Sequence, residues 1–302
     1  MTTPRAPAEP TPADRREGFL VGAVIGAALA AGTADLLDPQ AIQARLSPDG
    51  LPPALGLPAG RRRAATALAD ALLEQLVGGG VDLRRLAGHW VEWWQEDGSD
   101  TDPLLALALD HLRAFDAPVE LLPAPGIAAM AAALPAALAA ASPQSMIAGA
   151  FHVARLLDPS EEAALAAVSV VVAASCFLEG SRDFLHDVIA VLRANDAPAE
   201  LLDAVRTIPR DPRTPPPLPR GATPLPAASV TWLLWTAHHR PRGLDALAAM
   251  AMAGGVSPTI GATLGALLGA RDGLTIWPAA WLAAGGEETT LRAVLARRLG
   301  GG

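Results

Sequence analysis

The feature that most constrains the fold is a row of three glycines near the C-terminus. Gly261, Gly265 and Gly269 recur every four residues in a segment that is otherwise rich in alanine and leucine. Residues four apart lie on one face of an α-helix, and a glycine costs a helix about 1 kcal/mol relative to alanine. The row therefore predicts a helix whose glycine face contacts another helix at very short distance. Because Arg271 and Asp272 end the apolar segment too early for a membrane span, we expect this helix to be buried inside a folded domain.

The composition favours helices packed on helices. The chain has 302 residues, of which 51% are apolar and 4% aromatic, and it contains no tyrosine. Alanine and leucine form helices readily, whereas sheets favour β-branched and aromatic residues. We therefore predict an all-α fold. The net charge of -8 argues against a nucleic-acid partner, because a protein that binds nucleic acid needs a basic face to displace counterions.

The N-terminal region allows two interpretations. Residues 1–17 are rich in proline, threonine and alanine and predict a flexible tail, which leaves a single domain over residues 18–302. Arg15 and Arg16 precede an apolar stretch, as in a twin-arginine signal peptide. However, glycines at positions 18, 22 and 26 interrupt this stretch at near-helical spacing, which favours a core helix. With a core helix here, we expect a cytoplasmic protein with no membrane partner.

The glycine row belongs to a longer pattern. From residue 254 the chain reads Gly-Gly, then Thr-Ile-Gly-Ala, further small residues, Gly-Ala, a glycine and finally Pro-x-x-Trp, ending at residue 281. This pattern is similar to the last motif of the ADP-ribosylglycohydrolase family, and the Gly-x-x-x-Gly-x-x-x-Gly pattern from Gly18 resembles the first. The resemblance extends over most of residues 18–285. It implies a single compact all-α domain with two magnesium or manganese ions in a central groove, where they orient the ribose and the attacking water.

Carboxylates are missing from every position that the resemblance assigns to a metal-binding aspartate. The residues at these positions are Ala27 in the first motif, Val256 and Pro258 in the last, and in the second either Gly60 and Arg61 or, after a shift of one helical turn, Ala64 and Ala65. Magnesium is bound by hard oxygen ligands and not by aliphatic side chains. We therefore predict that the protein uses neither magnesium nor manganese as a cofactor.

The loss of these carboxylates leaves three functional hypotheses. The first is a catalytically inactive binding or regulatory protein, whose partner is an anionic small molecule such as ADP-ribose or a nucleotide, or another protein. The second is an enzyme of altered, metal-independent chemistry on an ADP-ribose-like or nucleoside ligand. Its candidate general acids or bases are Asp100, Asp102 and Asp158, unless these residues only cap helices and form turns. The third is an active ADP-ribosyl hydrolase whose motifs align differently.

Two groups of residues are predicted to bind the ligand. They are Arg61, Arg62 and Arg63 before the helix of the second motif, and the retained Gly254, Gly255, Ser257 and Thr259 of the last motif. The arginines allow two interpretations. They either are solvated or pair with acidic residues elsewhere in the chain, or a guanidinium replaces the metal charge and binds a phosphate or carboxylate in the groove.

The remaining features predict structural roles. Cys176 lies in an apolar stretch, so we expect a buried and unreactive thiol that forms neither a disulfide nor a metal cluster. His238 and His239 are expected to end a helix as cations, which the helix dipole favours. The proline-rich segment at about 209–226 excludes a helix and is either a connecting loop or a ligand for a domain that binds proline-rich peptides.

Overall fold

The computed structural model describes residues 9–46, 62–98, 101–139, 142–208, 212–284 and 292. Within these residues the regular secondary structure is helical, which confirms the predicted all-α fold. The α-helices are α1 (Pro12–Thr33), α2 (Pro39–Arg45), α3 (Ala64–Val77), α4 (Leu83–Asp97), α5 (Pro103–Phe115), α6 (Ala128–Ala133), α7 (Ala136–Ala139), α8 (Pro143–Leu157), α9 (Glu161–Leu178), α10 (Phe184–Ala194), α11 (Ala199–Thr207), α12 (Pro226–His239), α13 (Gly243–Ala253), α14 (Pro258–Asp272) and α15 (Ala279–Ala284), and a short 3₁₀-helix spans Leu274–Ile276.

Helices α1 and α14 form the central contact of the fold. They run antiparallel, so that glycines 18, 22 and 26 of α1 face glycines 269, 265 and 261 of α14. A Cβ atom added to Gly22 would lie 2.2 Å from the carbonyl oxygen of Gly265, and one added to Gly265 would lie 1.9 Å from the carbonyl oxygen of Gly22. These neighbours are backbone atoms and cannot rotate away. The close contact predicted from the glycine row is therefore confirmed, and it requires glycine on both helices.

Helix α9 packs beside this pair and is buried along most of its length. Both α1 and α9 are long and apolar enough to cross a membrane, but 78% of the apolar window of each is buried inside the fold. Core helices of globular proteins have this character. The shorter helices α3 and α6 pack against α14 as well and bring the second motif to the centre of the domain.

The first helix begins earlier than predicted. The Thr11 hydroxyl accepts a hydrogen bond from the Asp14 N–H at 3.2 Å, and the Asp14 carboxylate accepts one from the Thr11 N–H at 3.1 Å. This reciprocal pair is a capping box, and it starts α1 at Pro12, a residue suited to the first helical position. The prediction of a flexible tail up to residue 17 was therefore wrong for residues 12–17, while residues 1–8 lie outside the described part.

The buried side chain of Arg15 attaches the first turn of α1 to the core. Its guanidinium donates hydrogen bonds to the carbonyl oxygens of Phe177, Ala270 and Arg271, which end helices α9 and α14. A cation in this position satisfies carbonyl groups that have no partner within their own helices. Arg15 is thus a core residue, which favours the core-helix interpretation over a signal peptide.

Two predictions near α12 had different outcomes. Residues 212–225 contain no helix, and α12 begins at Pro226, so the described part of the proline-rich segment is a connection between helices. His238 does lie in the last turn of α12, but the prediction that it is a cation was wrong. Burial lowers the pKa of His238 below its usual value of 6.5, and the neighbouring His239 lowers it further, so that His238 is neutral at pH 7.

Candidate functional site

Two of the positions that the resemblance assigns to metal-binding aspartates meet at the centre of the domain. Ala27 of α1 and Ala65 of α3 belong, with Ala131 of α6 and Ala262 of α14, to one buried cluster of methyl groups, called here the alanine cluster. Each of the four residues is at most 4% exposed. The contact of Ala65 with this cluster fits the alignment in which Ala64 and Ala65 occupy the aspartate positions. Gly60 and Arg61, which the ungapped alignment places there, lie outside the described residues.

The space beside the alanine cluster is small. Residues of α1, α3, α6 and α14, together with Leu134, Pro135 and Arg292, line a cavity of about 10 Å³. A cavity of this size holds about one water molecule, whereas a small-molecule site usually occupies several hundred Å³. Among the described residues, the side chains that line it are apolar apart from Arg292, so these side chains offer no oxygen ligand to a metal ion.

The loop of the last motif is held by its own neighbours. Gly254 and Gly255 have φ angles of 65° and 69°, which glycine adopts at little cost. The Gly255 N–H donates to the carbonyl oxygen of Thr33 at 3.0 Å, at the end of α1. Arg220 donates to the carbonyl oxygens of Gly254 and Ala253 at 3.2 and 2.9 Å. This network fixes the loop between α13 and α14.

The side chains of the same motif cap helix α14. The Ser257 hydroxyl accepts a hydrogen bond from the Thr259 N–H at 3.1 Å, and Pro258 occupies the first helical position. Val256, which the resemblance places at an aspartate position, is only 1% exposed and belongs to the apolar core. These residues therefore serve the start of the helix, with N-cap chemistry that any helix can use.

The two described arginines of the run are held within the domain. The Arg62 N–H donates to the Asp97 carboxylate at 3.0 Å, and its guanidinium lies 3.6 Å from the Asp70 carboxylate. Arg63 is the N-cap residue of α3 and also has an interaction partner within the chain. Arg62 therefore pairs with acidic residues of the same chain, Asp97 and Asp70, as in the first of the two interpretations given above. Arg61 lies outside the described residues.

A buried ion pair beside the alanine cluster was not found by sequence reasoning. Asp70 of α3 and Arg292 are 2% and 1% exposed, and their side chains meet at 2.6 Å. Arg292 also donates to the carbonyl oxygens of Leu20 and Thr66 at 3.3 and 3.0 Å. Asp70 thus lies between the guanidiniums of Arg292 and Arg62. A buried carboxylate requires such partners, and the one readable signal was an aspartate inside the apolar segment 67–73.

Two of the three candidate general acids or bases, Asp102 and Asp158, have structural partners. Asp102 is the N-cap of α5 and accepts hydrogen bonds from the N–H groups of Leu104 and Leu105, each at 3.0 Å, while burial raises its pKa. Asp158 is buried and accepts from the N–H groups of Gly126 and Ser160 at 2.6 and 2.8 Å. Neither lines the small cavity beside the alanine cluster.

Two further observations concern metal-binding and thiol chemistry. Over the described ranges, no three His, Cys, Asp or Glu residues come together in a way that could hold a metal ion. Asp100, the third acid or base candidate, is outside these ranges. Cys176 is buried, with its Sγ atom 3.4 Å from an oxygen of Asp187. Burial, with Asp187 as the next cause, raises the pKa of the thiol to about 12, which confirms the predicted buried thiol.

Comparisons with known proteins agree with the sequence motifs. The family model for ADP-ribosylglycohydrolase matches residues 8–301, while no curated protein sequence matches the chain. A solved structure described as an "ADP-ribosylglycohydrolase-related protein complex" superposes with a TM-score of 0.75 at 24% sequence identity, and the match covers 95% of this chain and 98% of that chain. At this identity the structural match shows a shared fold. Since the family model covers nearly the whole chain, the protein belongs to the ADP-ribosylglycohydrolase family.

Proposed function

We propose that this protein is a non-hydrolytic member of the family, which has no dinuclear metal site and acts as a binding or regulatory protein. The observation that carries the proposal is the alanine cluster. Ala27 and Ala65 stand where the motifs imply metal-binding carboxylates, and both are buried among methyl groups. Two dications need several anionic oxygen ligands to lie close together, and alanine supplies none.

The packing around the cluster supports the same proposal. The described side chains leave beside the cluster a cavity of about 10 Å³, which is room for about one water molecule. The glycine loop of the last motif keeps the features that place α14, which are the positive φ angles, the Ser257 cap and the bond to Thr33. A fold can be retained while its chemistry is lost, and here the retained residues are those that hold helices together.

The proposed partner is an anionic small molecule such as ADP-ribose or a nucleotide, or another protein. Arg62 and Arg63 support an anionic ligand, because both are only partly buried and lie at the start of α3, where the helix dipole also attracts anions. Such a ligand must compete with Asp70 for Arg62. We further infer a cytoplasmic location, because the two most apolar helices use most of their surface in internal contacts.

Two assays on the full chain test this proposal. The first measures release of ADP-ribose from arginine-linked and O-linked conjugates in the presence of Mg²⁺ or Mn²⁺. We expect no release above that of a heat-denatured sample, and metal-dependent turnover would contradict the proposal.

The second assay is calorimetric titration with ADP-ribose. It compares the native protein with an Arg62→Gln/Arg63→Gln double variant and with Arg113→Gln, which removes an exposed arginine of α5 as a matched control. Binding that only the double variant loses identifies an anionic ligand at the start of α3. Absence of heat with ADP-ribose and nucleotides would contradict an anionic small-molecule partner and favour a protein as the partner.

A further inference from the structure

A second, larger cavity opens at the surface of the domain. It lies between the first turns of α1, helix α7, the start of α8 and the end of α9, and its volume is about 350 Å³. This volume is within the range of small-molecule sites. The residues that line it differ from those around the alanine cluster, so the two cavities are separate features of the fold.

The lining combines one cation, one anion and an apolar wall. Arg16 supplies the cation, Glu179 the anion and Ser175 a hydroxyl group, while Met146 and Leu178 contribute apolar surface. Arg16 is held in place by its neighbour in sequence, because the buried guanidinium of Arg15 is bonded to the last carbonyl groups of α9 and α14. The position of Arg16 at the end of α9 is therefore set by the core.

The polar side chains of this cavity are available to a ligand. Within the part of the chain that the structure describes, Arg16, Ser175 and Glu179 have no side-chain hydrogen bond or ion pair, and Arg16 and Glu179 do not form a salt bridge with each other. The Ser142 hydroxyl, in contrast, is used in the capping box of α8, where it accepts a hydrogen bond from the Ser145 N–H. Three polar groups of different chemistry thus line one cavity, and none of them pairs with a described side chain.

We infer that this cavity binds a small zwitterion with an apolar side chain, namely an aliphatic α-amino acid. The planar guanidinium of Arg16 suits a carboxylate, with which it can form two parallel hydrogen bonds. The carboxylate of Glu179 suits an ammonium group, and the flexible thioether side chain of Met146 adapts to an aliphatic chain.

The charge balance of the lining selects this class of ligand. A zwitterion can pair with Arg16 and Glu179 at the same time, whereas a purely apolar molecule can pair with neither charge. A nucleotide or ADP-ribose carries several negative charges, which Glu179 repels. The inference is independent of the proposed function, because it uses a different cavity and no residue of the alanine cluster or of the start of α3.

Calorimetric titration of the full chain with L-leucine and L-methionine tests the inference. Two analogues of leucine report the contribution of each charged group to affinity, because 4-methylpentanoate lacks the ammonium group and leucinamide lacks the carboxylate. We expect saturable binding of both amino acids. The affinity for each analogue should be lower than that for leucine by about tenfold or more, which corresponds to the loss of one charge-assisted hydrogen bond. Absence of saturable binding of both amino acids overturns the inference.

Substitutions assign the two charges to their residues. Arg16→Gln is expected to lower the affinity for leucine about tenfold or more and to remove the preference for leucine over leucinamide. Glu179→Gln is expected to lower the affinity for leucine by a similar factor and to remove the preference for leucine over 4-methylpentanoate. Arg113→Gln on α5 serves as the control and should leave the affinity unchanged. Thermal melts of all variants check folding. Unchanged leucine affinity in both folded variants would refute the assignment to this cavity.

Discussion

Replacing Gly22 by alanine tests the contact that organises the fold. The new Cβ atom would lie 2.2 Å from the carbonyl oxygen and 2.8 Å from the carbonyl carbon of Gly265, and 2.8 Å from a ring carbon of Trp277. Ordinary contacts begin at 3.4 Å, so α1 and α14 must separate by about 1 Å to accept the methyl group. Since a Cβ atom added at Gly18 or Gly26 would also lie within 2.5 Å of the backbone of α14, this separation would loosen the whole length of the helix pair.

Two opposing effects determine how much Gly22→Ala changes the free energy of unfolding. Overpacking of a core costs about 1–3 kcal/mol, and the upper end applies here because the neighbouring atoms belong to the backbone. Alanine gains about 1 kcal/mol of helix propensity over glycine. The free energy of unfolding should therefore fall by about 2 kcal/mol, which corresponds to a Tm lower by about 4 °C for a chain of this length.

Thermal unfolding followed by circular dichroism measures this change, and Gly149→Ala provides the matched control. Gly149 lies within α8, and a Cβ atom added there meets no atom within 4 Å. The control keeps the gain in helix propensity without the clash, so its Tm should rise by about 2 °C. A Gly22→Ala variant that melts at or above the native temperature would refute the account of the α1–α14 contact.

Three further predictions concern single side chains. Because burial lowers the folded-state pKa of His238 below 6.5, its neutral form gives full stability above pH 6.5 and stability falls as the pH drops through this value. His238→Gln should therefore lose less Tm than the native protein between about pH 7 and about pH 5, and an equal loss would be evidence against the effect. Cys176, with a pKa of about 12, should react with a thiol reagent only after unfolding, whereas rapid labelling of native protein would show an accessible thiolate. Asp158→Asn should lower the free energy of unfolding by about 1–3 kcal/mol, because it replaces a buried carboxylate that accepts hydrogen bonds from two backbone N–H groups. An unchanged midpoint of unfolding in urea would contradict this structural role of Asp158.

The parts of the fold that could be predicted are those with a local signal. The glycine row predicted the close contact of α14, because the spacing of four residues defines a helix face and glycine has a cost that only close packing offsets. The start of α1 was readable too, since Thr11 and Asp14 have the spacing of a capping box. The prediction of a flexible tail failed there because it was based on the composition of residues 1–17 as a whole, and the capping box is a pattern of only four residues within them.

The parts that could not be predicted depend on contacts between distant segments. The sequence left two alignments for the second motif, and it gave no sign that Ala65 packs with Ala27, a contact that fits the second of them. The ion pair of Asp70 and Arg292 joins α3 to the C-terminal region, and no local pattern links such residues. The neutral state of His238 likewise depends on burial, which a helix-dipole argument alone does not include.

Measurement of Mn²⁺ binding by electron paramagnetic resonance tests the central claim most directly. The signal of free Mn²⁺ disappears when a protein binds the ion, so a titration of the full chain counts bound ions without any assumption about substrate. If the alanine cluster has replaced the dinuclear site, the free signal will equal the total Mn²⁺ at every point of the titration. Saturable binding that approaches two ions per chain would contradict the account, because it would require carboxylates that the positions of Ala27, Ala65 and Val256 do not supply.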